Sequence, residues 1–280
     1  MKQIEMLLPE VYSQQIRPQD WNGLEELRFC HGSPVYLRYG DREQELWPQT
    51  DAFMVEEIIQ RACQHSAYAH ADTIRQGYIT VEGGHRIGIC GLGITEAGIV
   101  RGIKEPGSLN IRIAKQVLGC AEKLFSEIRD SMLIVGPPGS GKTTLLRDVV
   151  RLLSDRRKQR VGLADERGEL SAAVNGRTQM NVGLRTDVLV NVPKSIAVMM
   201  LLRTMNPTWI AVDEITAAED IAAMEQASYC GVKLLATAHG DSAEDLKNRP
   251  LYRKLMETGI FQQVVVLRRD KSYEIQEAVF

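Results

Sequence analysis

The chain has 280 residues, of which 25% are charged and 44% hydrophobic, and its formal net charge is −2. These values are those of an ordinary globular protein, long enough for two domains. The near-neutral charge gives no reason to expect nucleic acid or an anionic membrane as the partner.

The cysteines and the chain start give a first expectation of the compartment. Five scattered cysteines without a C-x-x-C motif predict free thiols in a reducing compartment rather than a zinc site or a disulfide framework. No run of 18 apolar residues occurs, and Met1-Lys-Gln-Ile-Glu lacks the form of a signal peptide. We therefore expect a cytoplasmic protein, whose contact with a membrane would be peripheral and through a protein partner.

Residues 1–126 show the short alternating patterns of a small α+β domain. An amphipathic helix is predicted at 54–63. Strands are predicted at 27–30, 35–39 and 78–82. His65 and His70 are five residues apart and therefore do not share a helix face, so we predict no metal site there.

The stretch 83–108 is rich in glycine. Gly83-Gly84 is a hairpin signal, and a glycine-rich strand is predicted after it. Its glycines do not have the spacing of a dinucleotide fingerprint. Residues 102–108, which contain Pro106-Gly107, predict a turn-rich crossing.

The next motif is a phosphate-binding loop of the form G-x-x-x-x-G-K-[ST], preceded by a buried strand at 132–135 and followed by a helical pattern at 144–153. Glycines let the backbone approach phosphates, and the helix start favours an anion. Lys142 is expected to reach the β- and γ-phosphates, and the Thr143 hydroxyl to ligate Mg²⁺. The predicted nucleotide-binding residues are Gly136, Pro137, Pro138, Gly139, Ser140, Gly141, Lys142, Thr143 and Thr144.

Strands and helices alternate after this loop. Strands are predicted at 161–165, 209–214, 232–237 and 263–267, and helices at 195–205 and 217–229. The stretch 180–192 looks polar and irregular. The alternation predicts a mostly parallel sheet covered on both faces, with the ligand at the carboxyl ends of the strands. We place the domain boundary so that residues 1–126 form the first domain and 127–280 the second.

Polar residues follow three of these strands. Asp213 is expected to hold Mg²⁺ through water, and Glu214 suits a general base that aligns the attacking water. At the tip of the strand at 232–237, Thr237 or His239 is a candidate γ-phosphate sensor. Asp165 and Glu166 close the strand at 161–165, and Glu166 is the second candidate catalytic carboxylate.

The interval between Lys142 and Asp213 leaves room for an inserted strand at 161–165. Such a strand, with a Glu beside the Asp, resembles the additional-strand ATPases related to RecA rather than the kinases or GTPases. No N-K-x-D guanine signature is present. The resemblance implies a RecA-like P-loop ATPase core of α/β type, preceded by the smaller α+β N-terminal domain, with ATP and Mg²⁺ as ligands.

Further motifs resemble the type II and type IV secretion ATPases. Thr237-Ala-His-Gly is similar to their histidine box, and Asp165-Glu-Arg-Gly-Glu to their acidic box. The stretch 202–215 resembles the segment that runs into their Walker B strand. Over nearly its full length the chain is similar to secretion-type ATPases of endospore-forming bacteria. It departs from the larger motors in having Asp213-Glu214 where they have Gly-Glu, and in lacking their four-cysteine zinc insert.

The resemblance implies a homo-oligomeric ring, a hexamer, with ATP between neighbouring subunits. It implies docking to the membrane channel complex proteins of the sporulation apparatus, where ATP hydrolysis powers or gates a channel between mother cell and forespore. Arg101, Arg112 and Arg185 are candidates to act on a neighbour's nucleotide. A surface salt bridge is the alternative for each.

Two other functions compete with this one. The stretch 151–160 has five basic residues against Asp155, so it suits either a solvated helix end or the footprint of a RecA-like nucleic-acid-dependent ATPase. Near-neutral charge and 6% aromatic residues leave little for backbone neutralisation or base stacking, so we do not expect nucleic acid as a partner. A scaffold that binds ATP without turnover is the third possibility, and Glu214 argues against it.

Overall fold

The computed structural model describes residues 2–63 and 71–277, so His65 and His70 lie outside the described residues. The chain forms two compact units. The first comprises the described residues up to Lys115 together with Val174–Gln179, and the second comprises Gln116–Ala173 and the residues from Met180 onward. The chain therefore leaves the second unit after Ala173 and returns to it at Met180.

The first unit is an α+β fold on an antiparallel sheet with the strand order β3-β2-β1-β6-β5-β4. The strands are β1 (Glu26–Cys30), β2 (Val35–Tyr39), β3 (Arg42–Leu46), β4 (Tyr78–Val81), β5 (His85–Glu96) and β6 (Ile99–Arg112). The helices are α1 (Lys2–Leu7), α2 (Glu10–Ser13), α3 (Ala52–Ala62) and α4 (Ala71–Arg75), with a 3-10 turn at Pro18–Trp21.

Alternation along the strands builds the core of this unit. Leu27 and Phe29 of β1 are fully buried, and Leu27 lies opposite Leu37 on one side and Ile111 on the other. The helix α3 covers this face with Val55 and Ile58. The helix begins where the Asp51 carboxylate accepts a hydrogen bond from the Met54 amide at 2.7 Å, a side-chain cap of the usual kind.

The prediction of a turn-rich crossing at 102–108 is wrong, because β6 continues through it as far as Arg112. The strand tolerates Pro106 at a bulge: Lys104 and Ser108 are paired with β5, and the register shifts between them. Gly91 sits opposite the bulge, where a Cβ would come within 2.7 Å of the Glu105 carbonyl oxygen. The glycine-rich stretch therefore belongs to the paired strands β5 and β6, which bend at the bulge, and not to a loop.

The second unit contains a sheet in the strand order β13-β12-β7-β11-β10-β8-β9. Its strands are β7 (Met132–Gly136), β8 (Val161–Asp165), β9 (Thr186–Val190), β10 (Trp209–Val212), β11 (Lys233–His239), β12 (Gln263–Leu267) and β13 (Tyr273–Glu277). All pairings are parallel except that of β12 with β13. The predicted mostly parallel sheet is confirmed.

Successive residues of the strands point to opposite faces, and each face has its own core. Leu133 and Val135 of β7 belong to one cluster, while Met132 and Ile134 belong to the other. The helices are α5 (Glu122–Phe125), α6 (Lys142–Asp155), α7 (Lys194–Thr204), α8 (Ala218–Tyr229), α9 (Ala243–Lys247) and α10 (Pro250–Glu257). Of these, α5 and α6 cover one face and α7, α8, α9 and α10 the other. None of the described helices is long and apolar enough to cross a membrane.

The sequence missed β9, which lies in the stretch expected to be irregular. It is an edge strand that pairs with β8 alone, and its residues are only half-buried. An edge strand needs a weaker hydrophobic pattern than a central one. The inner strands were predicted as apolar runs, and in β9 Thr186 and Asp187 leave only a short run of this kind.

The segment 116–131 belongs to the second unit, so the observed division falls at 115/116, before the predicted boundary at 126/127. Ala121, Leu124 and Ile128 are buried in the same core as the helix α6. The composition of this segment does not reveal that packing.

Basic residues at the end of α6 hold this segment in place. Arg157 donates to the carbonyl oxygens of Phe125 and Ile128, both at 2.8 Å, and stacks over the Phe125 ring. Arg156 pairs with Glu122, with one contact of 2.6 Å. Part of the basic stretch is thus used within the fold.

The first unit should lose stability in mild acid through His85. The ring is 4% exposed, its Nδ1 accepts from the Ala114 amide at 3.0 Å, and burial lowers its pKa from 6.5 to about 4. Because the folded pKa lies below the unfolded one, this contribution is complete above pH 6.5 and is lost as the pH falls towards 4. We expect a loss of about 3 kcal/mol over that window.

Urea unfolding between pH 4 and 7, followed by circular dichroism, measures this loss. His85→Gln keeps an acceptor for the Ala114 amide but does not titrate, so its stability should change less with pH than that of the wild type. His31→Gln removes an exposed histidine and is the control. Equal pH dependence in the wild type and His85→Gln would contradict the assignment.

Candidate functional site

The loop between β7 and α6 has the backbone of an anion-binding turn. Gly139 and Gly141 have φ of 75° and 97°, in the left-handed region that favours glycine. A Cβ at Gly136 would come within 2.7 Å of Ser140 Oγ. The three glycines of the motif are therefore required by geometry.

The start of α6 leaves polar groups without protein partners. Its N-cap, Gly141, has no side chain to accept hydrogen bonds from the first-turn amides. The hydroxyl of Ser140 is buried and has no hydrogen-bond partner among the described residues. Unsatisfied donors at the positive end of a helix fit an anion such as a nucleotide phosphate.

Lys142 lies with its ammonium folded back over this loop. Its Nζ donates to the carbonyl oxygens of Gly136 at 2.8 Å and Pro137 at 3.1 Å. Burial lowers the pKa of Lys142, and the nearby carboxylates Glu214 and Asp213 partly oppose that shift. The ammonium is thus a desolvated cation with neutral partners, which favours an incoming anion.

His239 connects this lysine to a carboxylate. Its Nδ1 lies 2.9 Å from Lys142 Nζ and its Nε2 lies 3.1 Å from Glu214 Oε1. Since an ammonium only donates, Nδ1 accepts and the ring proton is on Nε2, directed at Glu214. The three side chains form one hydrogen-bonded chain.

Asp213 is held by two hydroxyl groups. Thr143 Oγ1 donates to its Oδ2 at 3.2 Å and Thr237 Oγ1 to its Oδ1 at 3.0 Å. Burial raises the pKa of Asp213, and these two hydrogen bonds oppose the rise. A carboxylate beside a threonine hydroxyl provides the hard oxygen ligands that suit Mg²⁺.

The described residues contain no cluster of three or more histidine, cysteine, aspartate or glutamate side chains able to hold a metal ion. Mg²⁺ commonly takes only one or two protein ligands and completes its shell with water and phosphate oxygens. Asp213 and Thr143 fit that mode of binding and no all-protein metal cage.

Glu214 has a strained backbone, with φ of 27°. A non-glycine residue in this region costs about 1–3 kcal/mol and persists only where the surroundings fix it. Here the Glu214 amide donates to Thr237 Oγ1 at 3.0 Å and to Asp213 Oδ1 at 3.1 Å. The strain turns the side chain towards His239.

A cavity of about 570 Å³ brings these groups together. Lys142, Thr143, Asp213, Glu214, His239 and Glu166 all line it, together with Pro138, Gly139, Gly141 and Thr144 of the loop. The remaining loop residues, Gly136, Pro137 and Ser140, do not line it. The catalytic and binding roles of the predicted residues remain predictions, but the structure brings most of these residues together around one cavity.

Glu166 and its neighbour Asp165 have different surroundings. Asp165 accepts from the amides of Leu170 and Ser171, at 3.1 and 2.8 Å, so it fixes the turn of the acidic box. Glu166 reaches the cavity and pairs with Lys194 at 2.7 Å. That ion pair makes Glu166 less available as a base than Glu214.

Four lining residues were not singled out from the sequence: Arg167, Glu169, Lys194 and Lys271. The first two belong to the acidic box, which was recognised only as a motif. Lys194 begins α7, and Lys271 lies in the turn between β12 and β13. No local pattern distinguishes these two lysines from surface lysines, because their position depends on how the strands and helices pack.

The candidate arginines lie away from the lining of this cavity. Arg101 and Arg112 are in β6 of the first unit, where Arg101 pairs with Glu96 at 3.0 Å. Arg185 precedes β9, and its guanidinium donates to the Lys158 carbonyl at 3.1 Å. Action on a neighbour's nucleotide stays a prediction for all three.

Comparison with known proteins identifies relatives over the whole chain. The family model described as "Sporulation stage III, protein AA" matches residues 3–278. Stage III sporulation protein AA of Bacillus subtilis is 38% identical, over 97% of this chain and 92% of that protein.

Solved structures resemble the fold. The pilus retraction motor PilT, crystallised with bound ADP, superposes with a TM-score of 0.62 at 15% identity, over 92% of this chain and 80% of that one. The ATPase DotB of Legionella pneumophila gives 0.57 at 14% identity, over 91% and 76%. At such identities the likeness concerns the fold, and it confirms the predicted RecA-like P-loop architecture.

Thr237 should be essential to the geometry of this site. It is 1% exposed, and Thr237→Val leaves the Glu214 amide without its hydroxyl acceptor and Asp213 without one of its two hydroxyl donors. We expect the free energy of unfolding to fall by about 1–3 kcal/mol. Thr237→Ser keeps the hydroxyl and should lose less. Urea unfolding compares the three proteins, and a valine variant as stable as the wild type would contradict this.

Proposed function

The chain belongs to the sporulation stage III protein AA family, and we propose that it is an ATPase that powers or gates a membrane channel complex during endospore formation. One observation carries the proposal of hydrolysis. Glu214, in a strained conformation, is aligned by His239 in the cavity that also contains the phosphate loop and Asp213. A loop that only bound a nucleotide would need no such carboxylate.

In this proposal the phosphates of ATP occupy the loop. The first-turn amides of α6 supply donors, and the Lys142 ammonium neutralises the β- and γ-phosphates. Thr143 and Asp213 would hold Mg²⁺, which would offset charge on the phosphate oxygens. The fit rests on the uncapped helix start and on the Lys142 ammonium, which donates to neutral carbonyl oxygens of the loop.

Glu214 acts as the general base. Its carboxylate accepts a proton from a water molecule whose oxygen forms a bond to the γ-phosphorus. The bond from that phosphorus to the bridging oxygen breaks, and ADP and phosphate are the products. His239 donates to Glu214 and keeps it oriented, while its other ring nitrogen faces Lys142. The histidine thus connects the base to the lysine that contacts the γ-phosphate.

The assembly and the partner follow from the resemblance to secretion ATPases. We propose a ring, a hexamer, with ATP between neighbouring subunits and with Arg101 or Arg112 reaching a neighbour's phosphates. Membrane channel proteins of the sporulation apparatus would bind the ring at the cytoplasmic side of the membrane. A neighbour's arginine that arrives as the transition state forms typically contributes about 10³–10⁵ in rate.

The nucleic-acid-dependent alternative has little support from the basic stretch 151–160. Arg151 pairs with Asp148 at 2.7 Å, Arg157 is fastened to carbonyl oxygens, and Arg160 donates to the Asn206 carbonyl at 2.7 Å. Guanidinium groups engaged inside the fold are poor partners for a phosphate backbone. DNA-stimulated turnover that falls steeply with salt would revive this alternative.

Lys142→Ala should nearly abolish ATP binding, since it removes the charge that faces the β- and γ-phosphates. Calorimetric titration with ATP is the measurement. Lys254→Ala removes an exposed lysine of α10 and is the matched control. ATP affinity within about threefold of wild type, roughly 0.7 kcal/mol, would remove this loop from the proposed site.

Glu214→Gln keeps the size of the side chain and removes the base. Binding should be kept or tightened, while turnover should fall by about 10²–10⁴, the usual contribution of a general base. Glu219→Gln, an exposed position of α8, is the control. Steady-state phosphate release measures turnover. Normal turnover in Glu214→Gln would transfer the role to Glu166.

Light scattering of the same variant tests the ring. Bound ATP is no longer consumed, so assembled rings should accumulate when ATP is added. Lost turnover with a monomer at every ATP concentration would retain the chemistry and exclude an ATP-bridged ring.

A further inference from the structure

Lys271 approaches the phosphate loop from the turn that follows the neighbouring strand, β12. β12 pairs with β7, so the turn that follows β12 lies beside the loop that follows β7. Lys271 Nζ donates to the Gly139 carbonyl oxygen at 2.9 Å. The same nitrogen lies 3.5 Å from the point that a Cβ would occupy at Gly141. The ammonium is therefore directly over the glycine turn.

The backbone of the turn holds this lysine in an unfavourable conformation. Its φ is 71°, in the region that a lysine rarely adopts. Hydrogen bonds fix the turn: the Lys271 amide donates to the Arg268 carbonyl at 3.1 Å and the Arg268 amide to the Ser272 carbonyl at 2.9 Å. Strain maintained at the rim of a binding cavity is typical of functional positions.

The contact with Gly139 does not neutralise the charge of Lys271, since a carbonyl is a neutral acceptor. The other lining lysines are differently engaged: Lys194 pairs with Glu166 at 2.7 Å, and Lys142 lies deep against the loop and His239. Lys271 is exposed, so its long side chain can reorient at small cost. It is an exposed cation beside the loop whose amides would face a phosphate.

We propose that Lys271 is a second phosphate-binding lysine, which leaves the Gly139 carbonyl and contacts the phosphates that rest on the turn at Gly139–Gly141. These are the α- and β-phosphates, because the loop backbone cradles them while Lys142 reaches the β- and γ-phosphates. The inference rests on the proposed function, and it adds a residue outside every motif of the site. The alternative is that Lys271 only clamps the loop through its hydrogen bond.

Substitutions at this position separate the two roles. Lys271→Gln keeps a donor for the Gly139 carbonyl but removes the charge, and Lys271→Arg keeps both. A phosphate contact predicts that the glutamine variant binds ADP about tenfold more weakly, at the lower end for a charged hydrogen bond, and that the arginine variant stays within about threefold of wild type. Arg269→Gln removes an exposed cation of the same turn and should bind ADP as the wild type does.

The measurement is calorimetric titration of the full chain with ADP and, separately, with inorganic pyrophosphate. Both affinities should fall in Lys271→Gln, because pyrophosphate has phosphates and no nucleoside. Unchanged ADP affinity in Lys271→Gln overturns the proposal in favour of the clamp. A loss for ADP without a loss for pyrophosphate also overturns it, since the contact would then be to the nucleoside.

The wild type and Lys142→Ala in the same series distinguish a failure of this inference from a failure of the proposed function. A wild type that binds ADP no better than Lys142→Ala contradicts both. A wild type that binds well, with Lys271→Gln equal to it, contradicts the role of Lys271 alone. Circular dichroism melting checks that each variant is folded.

Discussion

The central position of β11 determines the geometry of the site. This strand lies between β7 and β10, so its residues reach the phosphate loop on one side and the carboxylates on the other. His239 is in register with Gly136 of β7, and Ala236 with Val212 of β10, which places Thr237 beside Asp213. A slip of one residue would send Thr237 and His239 to the wrong faces. The parallel register thus brings His239 to the loop and to Glu214, and Thr237 to Asp213.

Electrostatics explains why this arrangement is prepared for a charged ligand. Burial lowers the pKa of Lys142 and raises that of Asp213, which means that the charged form of each side chain is less stable in the cavity than in water. A magnesium–nucleotide complex would bring a cation to the carboxylate and an anion to the ammonium, and would relieve both. The same reasoning accounts for the strained Glu214, whose amide is held by the hydroxyl that also holds Asp213.

The sequence predicted the parts of this site that local chemistry specifies. A phosphate loop needs glycines at fixed positions, and strand tips in a parallel sheet meet at one edge, so Lys142, Asp213 and His239 could be placed together without coordinates. Lys271 could not, because its position depends on the pairing of β12 with β7 and on a turn whose strain has no sequence signature. The stretch 102–108, which forms part of β6, was wrongly predicted for the opposite reason. Its local signal was that of a turn, and the pairing of β5 with β6 on either side of a bulge overrode it.

The acidic box, residues 165–169, lines the cavity and lies a few residues before the chain enters the first unit. Asp165 anchors its start by accepting the amides of Leu170 and Ser171, and Arg167 and Glu169 line the cavity. Only a few residues later the chain enters Val174–Gln179, which belongs to the first unit. The chain therefore passes between the two units at 115/116, at 173/174 and again at 179/180, so that each unit is assembled from two separate segments of the sequence.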